Sequence, residues 1–153
     1  MDINSQDKLT ILLEIRKERL DQAEKVRHRA FQVVTWVSGI FFLLTGYLTQ
    51  EKLTVSLPQK FVLILSVILA SGIVIVYINE LENGFKTQLR ILAKVETMLG
   101  LYQSGLFCQD ESLFPERWAQ NPGSGKFFSF IKSSLALVFV FVFVAISLKG
   151  VLF

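Results

Sequence analysis

Reactive side chains are scarce in this chain. His28 is its one histidine and Cys108 its one cysteine. A metal centre would have to be assembled from carboxylates around one of them, and no such set falls at ligand spacing. With a single thiol, no internal disulfide forms. The chain has no GxxxxGK[ST] phosphate loop and no GxSxG nucleophile elbow. Its arginines and histidine do not fall at the spacing of helical ribonuclease toxins. The expectation is a protein that is not an enzyme, with no catalytic residue, no cofactor and no metal.

The residues with a readable physical role are those that let helices meet. Thr35, Gly39 and Gly46 are spaced four and seven apart on one helical face, and Ser66 and Ala70 form a small-xxx-small pair. In lipid, where burial between helices has no hydrophobic drive, small residues let backbones approach closely. The contact they imply is either within one chain's hairpin or between chains. Gln32, Thr35, Ser38, Thr45, Ser66 and Ser71 are polar, but serine and threonine in such helices bond back to their own backbone. A second pattern is Leu81, Phe85, Gln88, Leu92, Val95, Leu99 and Tyr102, whose 4-3-4-3-4-3 spacing is a heptad seam. Gln88 within it either fixes register or faces solvent.

These residues need long helices to carry them. Residues 31–50 and 61–79 hold no charge, and 127–153 is apolar apart from Lys132, Lys149, a few serines and a glycine. About 20 apolar residues cross about 30 Å of hydrocarbon as a helix. The last segment contains VFVFVFV, whose alternation favours a strand. Both faces of that strand would be apolar, and a lone strand in lipid leaves its backbone groups unpaired. Helix is therefore expected. With 52% hydrophobic residues, the chain reads as an all-α integral membrane protein of three transmembrane helices with a cytoplasmic, antiparallel, coiled-coil-like extension. The expected organisation is a cytoplasmic amphipathic helix (1–30), transmembrane helix 1 (31–50), a short external loop (51–60) and transmembrane helix 2 (61–79). A cytoplasmic helix (80–104), a cytoplasmic loop and linker (105–126) and transmembrane helix 3 (127–153) complete it.

Charge sets the orientation. Seven Lys or Arg precede the first apolar segment, two lie in 51–60 and five lie between the second and third segments. Positive residues stay in the cytoplasm, so the N-terminus is expected inside and the C-terminus outside a plasma (inner) membrane. No cleavable signal peptide is expected, because the first apolar run begins only at residue 31. The basic N-terminal stretch also carries six acidic residues, which argues against a nucleic-acid partner. No Asp, Glu or His lies in the three apolar segments, which argues against a transporter or proton pump.

In the N-terminal helix Leu9, Leu13, Leu20 and Ala23 are expected along one side with Arg16 between them. Asp21 and Lys25 are spaced to pair at i,i+4. Gly100 and Gly105 should end the helix after the second apolar segment. Trp118 and Phe114 should dock on the cytoplasmic helices or lie at headgroup level. Trp118, Lys132 and Lys149 are the expected interface anchors.

The run RHRAFQVVTWVSGIFFLLTG, the ending KVETMLGLYQSGLF and the piece SLFPERW before a third apolar segment resemble a loose group of small bacterial membrane proteins. That group implies no particular activity. The first two segments with their flanking helices are also similar, in helix length and charge placement, to two-span SLATT-type effectors of bacterial immunity. The third segment departs from that pattern. Two functions are therefore carried forward. One is a membrane scaffold or subunit whose partners are the lipid bilayer and either a second copy or a cytoplasmic protein. The other is an anti-phage defence effector that oligomerises and disrupts the inner membrane.

Overall fold

The computed structural model describes residues 4–50, 55–109, 111–123 and 125–148. It is all-helical, with no strand among the described residues. The helices are α1 (Ser5–Leu48), α2 (Leu57–Met98), α3 (Glu116–Gln120) and α4 (Phe127–Leu148). Three of them, α1, α2 and α4, are long and apolar enough to cross a membrane.

Local sequence explains the ends. The Asn4 carbonyl accepts the Lys8 N–H at 3.0 Å and opens α1. At the start of α2 the Gln59 side chain accepts the Ser56 N–H at 3.0 Å, one arm of a capping box. Pro58 sits in the first turn, where its missing N–H costs nothing. The helix thus begins at Leu57, inside the stretch expected as loop. At its other end Leu101 N–H reaches the Glu96 carbonyl (3.1 Å) and Gly100 N–H reaches that of Thr97 (3.0 Å). This is a Schellman cap, and Gly100 supplies the required positive φ of 73°. The helix expected to reach residue 104 therefore stops at Met98.

The chain divides into two compact units. The first combines Met1–His28 with Leu81–Gly125. Here Arg16 pairs with Glu96 and Arg19 with Gln88, so α1 and α2 run antiparallel. Of the expected seam on α2 and the turn after it, Leu92, Val95 and Tyr102 are buried, and Leu81, Phe85, Gln88 and Leu99 are half-buried. On α1 the expected side is only partly inward: Ala23 is buried and Arg16 half-buried. Leu9, Leu13 and Leu20 are exposed; the inward face is Leu12, Ile15, Arg16, Arg19, Gln22, Ala23 and Val26. Its 12-15-19-22-26 rhythm is a heptad that includes an arginine and a glutamine, with Arg16 beside it. Apolar spacing does not reveal it, because Arg19 and the neighbouring Arg16 find their partners, Gln88 and Glu96, across the pair.

The second unit combines Arg29–Glu80 with Lys126–Phe153. Its core is Phe41, Leu48, Val67, Val138, Val142 and Ile146. Along α4 the buried residues are Phe128, Ile131, Leu135, Val138, Val142 and Ile146. Their spacing of three and four is helical. The alternating Val–Phe run is thereby cut across: Val138 and Val142 face in, while Val140, Phe141, Phe143 and Val144 face out. Phe139 meets Phe41 edge to face, centroids 5.3 Å apart.

Candidate functional site

A polar cluster in the first unit lies where α1 faces the C-terminal end of α2. Glu96 is 7% exposed. Its Oε1 accepts the Arg16 Nε–H at 3.1 Å and its Oε2 accepts the Tyr102 hydroxyl at 2.7 Å. One turn along α1, Arg19 Nη1 donates to Gln88 Oε1 at 3.1 Å. The Arg19 Nε is buried with no hydrogen-bond partner among the described residues.

Glu96 is positioned by the same Schellman cap that ends α2, since its carbonyl accepts Leu101 N–H. That turn carries Tyr102 back over the helix end to the Glu96 side chain. Burial, and then the bond and the charge of Glu96, push the Tyr102 hydroxyl well above its ordinary value; Arg16 pulls weakly the other way. The phenol therefore stays a donor across the physiological range.

A strap, residues 111–118, lies against this cluster. Phe114 N–H donates to the Leu101 carbonyl at 3.0 Å. The Arg16 guanidinium lies 5.9 Å from the Phe114 ring centroid, within the range of a cation–π contact. The Phe114 ring also meets those of Tyr102 (6.2 Å) and Trp118 (5.9 Å). Ser112 Oγ donates to the Phe114 carbonyl at 2.8 Å. The FPERW stretch thus has a structural reason: phenylalanine seats the strap, proline opens α3 and tryptophan covers the phenylalanine. Around that seat Leu106, Phe107, Leu113 and Trp118 remain exposed.

The other expected residues fall elsewhere. Gln88 lies in the seam with Arg19 as its partner. Trp118 docks through Phe114 and is half open. Lys132 is half-buried on α4. Lys149 lies outside the described residues. Thr35 and Ser66 bond back to the carbonyls of Phe31 and Val62. Among the described residues a Cβ added at Gly39 or Gly46 would meet nothing within 4 Å, so the Gly39–Gly46 face makes no close contact with them. The in-chain role of that face goes instead to Phe41, Thr45 and Leu48, all buried. Ala70 alone of the five packs against the core.

Arg16 and Arg19 were not singled out as site residues by their spacing. The available signal was two arginines four and three residues from Leu12 and Gln22 on the seam face, opposite a heptad containing Glu96. Among the described residues, no three His, Cys, Asp or Glu side chains come together to hold a metal. The arrangement has no nucleophile beside a base; it is a charged, hydrogen-bonded clamp under an aromatic lid. No family model matches the chain, and neither a curated protein nor a solved structure does.

Proposed function

We propose that this is a multi-pass protein of the bacterial inner membrane that acts by association, not catalysis. Its α1, α2 and α4 cross the bilayer, its N-terminus and first unit lie in the cytoplasm, and its C-terminus lies outside. The seven basic residues before residue 31 against two in 51–60 support this orientation. The paired helices act as a coiled-coil-like stalk that presents the strap to a cytoplasmic protein.

One observation carries the reading. Leu106, Phe107, Leu113 and Trp118 are exposed in the strap and the loop before it, whose Phe114 is held by a backbone hydrogen bond to Leu101 and by contacts with Arg16 and Tyr102. A fixed segment with apolar side chains left in water is a surface suited to a partner. The test is in-cell cross-linking with a photoreactive residue at Leu113 or Trp118. A discrete adduct from the Trp118 position that is lost on Leu113→Asp supports the reading; no adduct at either position contradicts it.

A second reading is favoured by the open Gly39 and Gly46 face. Close packing of α1 helices from several copies would then build a membrane-disrupting oligomer, the defence effector. Overexpression with a membrane-potential dye separates the two. A collapse of potential abolished by Gly39→Leu would favour the effector; an unchanged potential favours the scaffold.

A further inference from the structure

We propose that strap docking and helix pairing are one coupled equilibrium, in which Arg16 is the group they share. Among the described residues, the hydrogen bond and the ring and cation contacts that join the strap to the helix pair and its end turn are those of Phe114. Among the same residues, the strap's other hydrogen bonds are internal, as from Ser112 Oγ to the Phe114 carbonyl and from Trp118 N–H to the Pro115 carbonyl, or go to the loop at Gly105. Phe114 rests on Arg16 and Tyr102. Both of these are held by the same carboxylate, that of Glu96. Arg16 comes from α1, Glu96 from α2 and Tyr102 from the turn after α2, so the seat is complete only while the two helices are paired.

The dependence runs both ways. If α1 leaves α2, Arg16 leaves Glu96, and Phe114 loses the cation beneath its ring. If the strap leaves, the Arg16–Glu96 pair opens to water, where such pairs contribute far less than when shielded. A coupling of this kind is reciprocal by linkage: a ligand that takes the strap loosens the helix tips, and a force that parts the tips releases the strap. Arg16 suits the role because its flat guanidinium donates along its edge to a carboxylate while offering its face to a ring. This deepens the association reading and rests on it for its use, since the strap is the element the partner takes.

Hydrogen exchange on the full-length protein in lipid nanodiscs tests the coupling without any partner. The Phe114 amide is the direct reporter, because it is the one bonded to Leu101. Phe114→Ala should speed exchange in residues 111–118 about tenfold, and Glu96→Gln, which touches no strap residue, should do so by a similar factor. The double variant should exchange no faster than Phe114→Ala alone. Arg16→Lys keeps the charge and loses the flat face; it should release the strap and raise exchange in residues 12–19. In the reverse direction, Phe114→Ala should raise exchange in residues 12–19.

Wild-type strap protection in Glu96→Gln, with release in Phe114→Ala, would overturn the proposal, because the anchor would then be independent of the ion pair. Equal acceleration throughout residues 127–148 would overturn it too, since the cluster would be holding the whole fold. Either failure leaves the association reading standing. Missing cross-links at Leu113 and Trp118 would remove that reading without touching the coupling.

Discussion

Glu96 bears a charge in a place where only full pairing makes it tolerable. Removing one partner of a buried pair leaves the other uncompensated, whereas replacing both with apolar groups is often neutral. Arg16 is about one-third exposed, with 31% of its side chain open, so part of its loss is made good by water. Glu96→Gln is therefore expected to cost about 2 kcal/mol, the scale of a hydrogen bond to a charged group. The double change Arg16→Met with Glu96→Leu should recover most of it. Thermal unfolding of the purified protein, followed by circular dichroism, reads both. Tyr102 gives a pH signature. Its folded pKa lies above the ordinary 10.0, so its stabilising contribution is complete below pH 10 and is lost as pH rises above that value. Alkaline titration by tyrosinate absorbance should show one tyrosine ionising after the others, and Tyr102→Phe should remove that late step and make the unfolding temperature less sensitive to high pH. Little of this site could be read from residue types alone. Gln88 and Tyr102 stood out because they interrupt or end an apolar heptad. Arg16 and Arg19 did not, since a charged residue on an amphipathic helix is ordinarily solvated, and only the facing carboxylate and amide make it a seam residue.

At the scale of the element, helix ends and faces decide the outcome. Gly100 sits at φ 73°, and an added Cβ there would come within 2.5 Å of Leu106 Cδ2. The leucine is exposed and can move aside, so the cost of Gly100→Ala is that of the left-handed backbone, about 1 kcal/mol. It should appear as a lower unfolding temperature and as faster exchange at Leu101. On α4, Phe141 faces outward near the middle of the apolar run. Phe141→Arg is expected to cost about 3 kcal/mol of insertion free energy, measured by a glycosylation-type insertion assay on residues 126–153. Val→Leu changes that erase the alternation should insert normally. The helices themselves were legible because uncharged length and backbone hydrogen bonding overrule strand propensity. The outward placement of the small-residue face was not. Glycine spacing records that one face permits close approach, and it carries no information about which helix approaches.

The whole molecule uses two helices twice: α1 and α2 each contribute to both units. Composition and charge asymmetry yielded the helical class, the three apolar helices and the antiparallel pair. The strap's seat lay beyond them, because it joins residues from three stretches of chain that no local pattern connects. If the small-residue face serves contact between chains, Gly39→Leu should leave the yield and unfolding temperature of a single chain unchanged, while cross-linked oligomers disappear from membranes. Oligomers surviving that change would place Gly39 against lipid. Cys108, the chain's one cysteine and exposed beside the strap, supplies the most direct test that a membrane-spanning bundle holds the strap in the cytoplasm. A membrane-impermeant maleimide is applied to intact spheroplasts and again after permeabilisation, with Ser56→Cys in a Cys108→Ser background as the external counterpart. The expected result is labelling of Cys108 only after permeabilisation and of Ser56→Cys in intact cells; labelling of Cys108 from outside, or recovery of the chain in the soluble fraction, would contradict it.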